Sequence, residues 1–365
     1  MGLLEGISNL FSRDKQNVQS KKAIVLDTYS SVEKLISKKE MKELGTLFVS
    51  GPARAGKGDE ILRFIKMICN KHNNLTTVDL SGVIGLEEIP EAALSDCKSL
   101  KKIVLPTGLR TIQNEAFIGC SNLEDVLLPE GLERIYDLAF ANCKMLKDVV
   151  LPKSLYRLGK EVFSGDDSIT DIVIPSKVES IGTGSLNCKN LKTIVVEPHN
   201  PSYISVDNVL YSRNGSALVK YACGNINPIF EVPETVAKIV EEAFIGCNNL
   251  KQIKLSSSVN IIGSKAFKGC DNIEILVVPA RVDNIGEEAF MDCKKLNRIL
   301  FDKGITNIAT KAFKNCTELK KVGLPNTLVK IGDEAFAGCS NLDECVIPSS
   351  VEYLGKNIFE GTRIK

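Results

Sequence analysis

The sequence predicts an α/β repeat solenoid, a curved array in which short strands form one parallel concave sheet and short helical or 3₁₀ turns lie on the convex side. Three observations predict this fold: a fixed repeat period, a strand pattern followed by a turn pattern in every period, and a helix pattern that precedes the first repeat. The 365-residue chain is 44% hydrophobic. This apolar content is typical of an ordinary globular core.

An apolar anchor residue recurs every 23 residues through most of the chain. Five anchors precede a gap and six follow it, and the gap from Leu186 to Phe244 is 58 residues, which is one period plus 35. The anchors are Leu94, Phe117, Phe140, Phe163, Leu186, Phe244, Phe267, Phe290, Phe313, Phe336 and Phe359. The sequence therefore contains eleven repeats and one insertion.

Each repeat combines a strand pattern with a turn pattern, in the form L-x-x-I-x-L-P, a turn, and then L-x-x-I-G-x-x-A-F-x-x-C-x-x-L. The first block alternates inward apolar and outward residues, which predicts a short strand, and the proline ends it because proline has no N–H for the ladder. The A-F-x-x-C block predicts one helical or 3₁₀ turn that places the aromatic ring in the core. A single repeat cannot bury its own apolar face, so we expect neighbouring repeats to stack and their strands to form a parallel sheet.

The repeat resembles a known family. The segment IGDEAFAGCSNLDECVIP (residues 331–348) is similar to the BspA-type leucine-rich repeat, and the resemblance covers roughly residues 75–365. That family consists mostly of bacterial surface and adhesion proteins. The resemblance therefore implies a leucine-rich-repeat solenoid and a surface adhesin that recognises host or matrix proteins.

Three segments are predicted along the chain. Residues 1–38 form an N-terminal helical arm, with a short amphipathic helix at residues 3–11, a polar linker and a second helix that continues into SKKEMKE. Residues 39–75 form a helical cap, in which the strand LGTLFVSG precedes an amphipathic helix that starts near Asp59 and covers the end of the stack. Residues 76–365 form the solenoid, with a β-hairpin insertion at about 197–232.

The insertion contains two β-rich runs that meet at Asn214-Gly215, which predicts a hairpin with a type I′ turn. Three of the seven tyrosines of the chain lie within it. Tyrosine is favoured at interfaces, so Tyr211 and Arg213 are candidate contacts with a partner. The alternative is that these tyrosines pack within the hairpin.

The outward positions of the predicted concave sheet form the main candidate surface. The fifth position of the strand pattern is mostly aliphatic, and the third is acidic in the first half of the array. The predicted partner-binding residues of this face are Val104, Asp125, Leu127, Asp148, Val150, Asp171, Val173 and Val195. Exposed apolar patches mark binding sites. The alternative is that branched residues stand there because they favour strands.

A glycine-rich segment, Gly51 to Gly58, matches the phosphate-binding pattern G-x-x-x-x-G-K but has Gly58 where the pattern requires Ser or Thr to hold Mg²⁺. We therefore expect a connection into the cap helix, with Asp59 as its N-cap. An anion- or nucleotide-responsive protein that uses this segment is the alternative function.

The cysteines follow the repeat. Nine of the twelve stand at its cysteine position, and Cys69, Cys223 and Cys345 stand elsewhere. A metal chain or a disulfide ladder is conceivable, but no C-x-x-C pair is present, and we expect a buried ladder of small apolar side chains. The sequence predicts no catalytic residues, no cofactor and no metal site.

Composition narrows the partner and the compartment. The formal net charge is +1, which disfavours a nucleic-acid partner. The sequence contains no apolar run long enough to span a membrane and no recognisable signal peptide, so it predicts a cytoplasmic protein, or a surface or secreted one if a leader has been removed. We predict a non-enzymatic scaffold that binds another protein through the concave face, with its oligomeric state left open.

Overall fold

The computed structural model describes residues 20–26, 31–54 and 56–364. These residues form a parallel β-solenoid in which the repeats contribute strands to two sheets. The L-x-x-I-x-L block supplies the first sheet, as predicted, and the I-G block supplies a second sheet of mostly two-residue strands that the sequence did not predict. The first-sheet strands are β3 (Thr77–Ile84), β5 (Lys102–Val104), β7 (Asp125–Leu127), β10 (Asp171–Ile174), β12 (Thr193–Val196), β16 (Ile229–Glu231), β18 (Gln252–Lys254), β20 (Ile275–Val278), β22 (Arg298–Phe301), β24 (Lys321–Gly323) and β26 (Glu344–Val346).

The second sheet pairs in the same 23-residue register, for example Ile112 with Ile135. Its strands within the repeats are β4 (Glu88–Ile89), β6 (Thr111–Ile112), β8 (Arg134–Ile135), β9 (Arg157–Leu158), β11 (Ser180–Ile181), β17 (Lys238–Ile239), β19 (Ile261–Ile262), β21 (Asn284–Ile285), β23 (Asn307–Ile308), β25 (Lys330–Ile331) and β27 (Tyr353–Leu354). These strands fall into two sections, from β4 to β11 and from β17 to β27, and within each section every repeat adds one strand.

The first sheet is not continuous, contrary to the prediction. Its strands fall into three sections, and the first break lies at residues 148–150, which form no strand. Asp148 has a positive φ of 50°, and this left-handed conformation is incompatible with an extended strand. The second break lies at the insertion, between β12 and β16.

The A-F-x-x-C block forms a series of tight turns in place of the predicted helical turn. In the second repeat, the Ala116 N–H donates to Gln113 O within its own repeat, while the Phe117 N–H donates to Ala139 O of the next one. Glu115 has a positive φ of 58°, which no α-helix contains. Because alternate N–H groups point to the neighbouring repeat, this edge supplies further hydrogen bonds between repeats.

The N-terminal cap begins earlier than predicted. Strand β1 (Ser20–Val25) pairs in parallel with β2 (Leu44–Pro52), so the segment expected to be a polar linker adds a strand to the first sheet. A 3₁₀ helix (Val32–Leu35) and helix α1 (Lys38–Glu43) stand where a single second helix was predicted. Helix α2 (Lys57–His72) covers the end of the stack. The short helix predicted at residues 3–11 lies outside the described residues.

Helix α2 differs from its prediction at the start. Its N-cap is Gly56, with a φ of 78°, and Asp59 is the third residue of the helix. The prediction of Asp59 as N-cap was wrong because the helix begins earlier, at Lys57, so Asp59 lies within its first turn.

The core contains columns of stacked aromatic anchors. Phe117, Phe140 and Phe163 form one column, with ring centroids 5.0 Å and 5.8 Å apart. A second column runs from Phe244 to Phe359 with centroid spacings between 4.8 Å and 5.9 Å. Leu186 lies between the two columns and is buried.

The insertion forms three antiparallel strands, β13 (Tyr203–Val206), β14 (Val209–Ser212) and β15 (Ala217–Tyr221). Strand β15 then pairs in parallel with β17, so the insertion continues the second sheet. The two-residue turn with both φ values positive, which defines type I′, is Asp207-Asn208, with φ values of 49° and 63°. At Asn214-Gly215 the hairpin is confirmed, but only Gly215 has a positive φ, so the predicted turn type was wrong.

Candidate functional site

The outer face of the first sheet presents the predicted outward positions. In β10, Ile172 and Ile174 are buried while Asp171 and Val173 are exposed. This alternation follows from the pleat of a strand whose one face covers the core. The third and fifth positions of the strand pattern therefore face solvent in this repeat, as expected.

The fifth-position side chains are aliphatic on successive repeats in the N-terminal part of the array. Leu127, Val173 and Val195 are 48%, 49% and 44% exposed, and Val150 is 75% exposed. Val104, beside the longer strand β3, is half-buried. We call Leu127, Val150, Val173 and Val195 the aliphatic column.

The same position is less uniform after the insertion. Val277, Leu300 and Val346 are exposed there, but Lys254 and Gly323 interrupt the series. The charge of Lys254 and the missing side chain of Gly323 divide the apolar surface into separate patches. The longest uninterrupted apolar stretch of this face therefore lies before the insertion.

Acidic side chains accompany the aliphatic column. Asp125 and Asp171 hold the third positions of β7 and β10, and Asp148 is exposed at the break between these strands. The Thr170 hydroxyl donates to Asp171 Oδ2 at 2.6 Å and holds the pKa of that carboxyl below its ordinary value. Lys102 Nζ lies 3.8 Å from Asp125 Oδ2. The column is thus bordered by three aspartate side chains, one of which is paired with a lysine.

The insertion does not present its predicted contacts together. Tyr211 is 6% exposed, and burial raises the pKa of its phenol to about 12, so this side chain belongs to the core. Its prediction as a surface contact was wrong because β14 is the central strand of the three and is covered. Arg213 is exposed in the loop that follows β14.

The charged groups around the described residues of the Gly51 to Gly58 segment do not favour a phosphate. Lys57 is buried, and its Nζ lies 2.8 Å from Glu60 Oε2. The space beside the start of helix α2 is lined by Asp59, Glu87 and Glu88 among others. Three carboxyl groups around this space oppose the binding of an anion.

The repeat cysteines have a hydrogen-bonding role that the sequence did not reveal. In seven repeats the thiol Sγ lies within 3.0–3.2 Å of a carbonyl oxygen of an earlier repeat, as Cys293 Sγ does with Phe267 O at 3.2 Å. A thiol is a weak donor. The repeat cysteines are buried and their thiols are free, as expected, with one exception. Cys247 is joined to Cys223 of the insertion by a disulfide.

Two buried ionisable residues have no counterpart in the other repeats. Asp166 stands at a repeat cysteine position, and Lys220 lies in β15 of the insertion. Burial raises the pKa of the Asp166 carboxyl to about 8 and lowers the pKa of the Lys220 ammonium to about 8. The departure at position 166 was visible in the repeat, whereas no local pattern indicated that Lys220 would be buried.

The repeat pattern decides the family. The family model described as BspA type Leucine rich repeat region (6 copies) matches residues 65–212, 219–322 and 260–365. The chain belongs to the BspA-type leucine-rich-repeat family. The resemblance inferred from the sequence is thereby confirmed, and so is the solenoid that it implied.

Solved structures similar to this BspA-type chain are also leucine-rich-repeat proteins. A leucine-rich repeat protein from Eubacterium ventriosum is 22% identical, with a TM-score of 0.71 over 81% of this chain and 85% of that one. A leucine rich cell surface protein from Faecalibacterium prausnitzii is 28% identical, with a TM-score of 0.63 over 87% and 84%. The pneumococcal vaccine antigen PcpA is 22% identical, with a TM-score of 0.53 over 73% and 69%.

No curated protein sequence matches this BspA-type chain significantly. In the described parts of the chain, none of the helices has the length and apolar character needed to cross a membrane.

Proposed function

We propose that this chain is a non-enzymatic, protein-binding repeat scaffold whose partner contacts the outer face of the first sheet between residues 125 and 196. The observation that carries the proposal is the aliphatic column, four exposed apolar side chains on successive repeats. Water-exposed apolar side chains grouped in this way favour association. The rigid stack of repeats holds the column as a preformed surface, which reduces the entropy cost of binding.

The border of the column indicates the charge of the partner. Asp125, Asp148 and Asp171 run beside the apolar side chains, so the complementary surface is apolar with basic side chains at its edge. Such a surface is typical of a protein. A nucleic acid would bring phosphates against these carboxylates.

The test is affinity capture with matched triple variants. Val150→Glu, Val173→Glu and Val195→Glu together place charge in the aliphatic column, and Val277→Glu, Leu300→Glu and Val346→Glu make the same change after the insertion. All six side chains are exposed, so both variants should keep the unfolding midpoint of the parent. We expect a specific partner to be lost by the first variant and retained by the second. If the first variant retains the partner, the proposal is wrong.

A surface adhesin is the second candidate. The Cys223–Cys247 disulfide favours it, because disulfides persist in oxidising compartments, and the Faecalibacterium protein is described as a cell surface protein. In a cytoplasmic scaffold, Cys223 and Cys247 would instead be reduced thiols. Both cysteines are buried, so producing cells are lysed in acid and the thiols are alkylated in denaturant. Mass spectrometry of the peptides with Cys223 and Cys247 then separates the two candidates: labelled thiols support a cytoplasmic protein, and a linked pair supports a surface one.

The anion- or nucleotide-responsive alternative makes its own prediction. It requires Lys57 to contact a phosphate, so Lys57→Ala would abolish binding of ATP or inorganic phosphate. The carboxyl groups of Asp59, Glu87 and Glu88 near this segment lead us to expect no binding by the parent protein. Saturable ATP binding that Lys57→Ala removes would establish the alternative.

A further inference from the structure

The insertion leaves a cavity of about 260 Å³ where it joins the repeats before and after it. We call it the junction cavity. Its walls include Ser185, Asn187, Tyr203, Lys220 and two carboxyl-bearing residues, the exposed Glu241 and the buried Glu242. The core divides into two apolar clusters at this point, so the cavity lies where the regular stacking of repeats is interrupted.

Lys220 brings a buried positive charge to the junction cavity. It is 5% exposed, and its Nζ donates to Asn187 Oδ1 at 2.6 Å and to Glu242 O at 3.3 Å. Both acceptors are neutral. An ammonium has three hydrogens, and the third has no acceptor among the described residues. A buried cation without a carboxylate partner is energetically costly.

The carboxylate of Glu242, which also lines the cavity, contacts other side chains. Glu242 Oε2 accepts a hydrogen bond from Asn187 Nδ2 at 2.8 Å, and Glu242 Oε1 lies 3.6 Å from Lys265 Nζ. Its backbone oxygen, and not its carboxylate, meets Lys220. The Glu242 carboxylate therefore stabilises the charge of Lys220 only through space, and no carboxylate of the described residues accepts a hydrogen bond from Lys220 Nζ.

Ser185 supplies a second, independent observation. Its side chain is 1% exposed, and its Oγ has no hydrogen-bond partner among the described residues. Buried hydroxyls are almost always hydrogen-bonded, so an unpaired one in a cavity wall points to a bound group. Apolar side chains such as Ile181, Leu210 and Val240 line the rest of the cavity.

We infer that the junction cavity binds a small organic carboxylate, with its carboxylate accepting hydrogen bonds from Lys220 Nζ and Ser185 Oγ and its apolar part against the aliphatic wall. The volume corresponds to roughly nine water molecules, which limits the ligand to about the size of benzoate. One available cation suits a monoanion better than a phosphate. This site is distinct from the outer face of the first sheet and does not depend on the proposed function.

The probe is sodium benzoate, titrated into the full chain by isothermal calorimetry or ligand-observed NMR. Benzamide has nearly the same shape without the charge and serves as the ligand control. Lys220→Met removes the buried charge, and Lys238→Met, at an exposed lysine on the adjacent strand β17, is the matched control variant. We expect saturable benzoate binding that benzamide does not reproduce, that weakens at least about tenfold in Lys220→Met and that is unchanged in Lys238→Met.

Ser185→Ala keeps the inference testable if Lys220→Met does not fold. It removes one small buried hydroxyl that lacks a partner, so folding should be preserved and benzoate binding should weaken several-fold. Absence of saturable benzoate binding to the parent chain, equal binding of benzamide, or full binding by a folded Lys220→Met variant would overturn the inference. The first result would leave water alone in the cavity, and the other two would show that the charge of Lys220 does not select the ligand.

Discussion

Tyr221 stacks on Phe244 with ring centroids 5.2 Å apart, and so begins the second aromatic column of the core. Tyr221 belongs to the insertion, and Phe244 is the first repeat anchor after it. The ring also meets Phe230 edge-on at 5.0 Å. The insertion is therefore part of the core that supports the C-terminal repeats, and its removal would expose Phe244.

Truncation of Tyr221 tests this relationship. The side chain is 2% exposed, so Tyr221→Ala should lower the free energy of unfolding by about 3–5 kcal/mol, as for other buried aromatic residues. Tyr221→Phe keeps the ring and should cost less than about 1 kcal/mol. Chemical denaturation followed by circular dichroism measures both. Equal stability of the parent and Tyr221→Ala would show that the column does not need the insertion.

Asp166 makes stability depend on pH. Burial raises its pKa from 3.8 to about 8 and outweighs a hydrogen bond from the Cys143 backbone, which acts in the opposite direction. The folded chain therefore binds this proton more tightly than the unfolded chain does. The stability that the protonated Asp166 carboxyl contributes to the fold is fully present below pH 3.8 and is lost as pH rises towards 8.

Restoring the repeat cysteine should remove this dependence. Asp166→Cys is expected to stabilise the fold by up to roughly 5 kcal/mol at pH 8 and by little at pH 4. Burial raises the pKa values of the neighbouring Cys143 and Cys188 thiols, so these two groups stay protonated between pH 4 and pH 8 in both chains. Thermal unfolding at several pH values measures the difference. A difference that does not grow with pH would contradict the assignment.

The Cys223–Cys247 disulfide should stabilise the junction of the insertion with the next repeat. It closes a loop with a sequence separation of 24, which corresponds to about 3–4 kcal/mol of unfolded-state entropy. Cys223→Ser should lose this amount under oxidising conditions, whereas Cys345→Ser, at a free and half-buried cysteine, should lose much less. Dithiothreitol should bring the parent to the level of Cys223→Ser. An unfolding midpoint that neither change affects would argue against the linkage.

Two glycines of the Gly51 to Gly58 segment should respond differently to alanine. A Cβ on Gly51 would stand 2.7 Å from Leu26 O, and its φ is 100°, so Gly51→Ala should cost about 3 kcal/mol or more. Gly56 has a φ of 78° but open space around it, so Gly56→Ala should cost only about 1–2 kcal/mol. Denaturation curves of the two variants measure the difference between their free energies of unfolding. Equal costs would mean that the Leu26 backbone, directly after β1, does not restrict the space at Gly51.

Periodicity predicted most of the repeat architecture. The alternation of inward and outward positions, the burial of the anchors and the exposure of Val173 and Val195 follow from a pattern that each repeat carries locally. The second sheet and the turn structure of the A-F-x-x-C block were missed because their hydrogen bonds join different repeats. A donor such as the Phe117 N–H has its acceptor 22 residues away, at Ala139.

The 23-residue period by itself determined the repeat family, the stacking direction and the outer face of the first sheet, because these depend only on which residues must be buried together. The tertiary structure decided how the insertion enters the stack. It buried Tyr211 and Lys220, joined Cys223 to Cys247 and left the junction cavity between the two aromatic columns. The physical reason is that burial of a non-repeating segment depends on the distant residues that cover it, and no local spacing records those contacts.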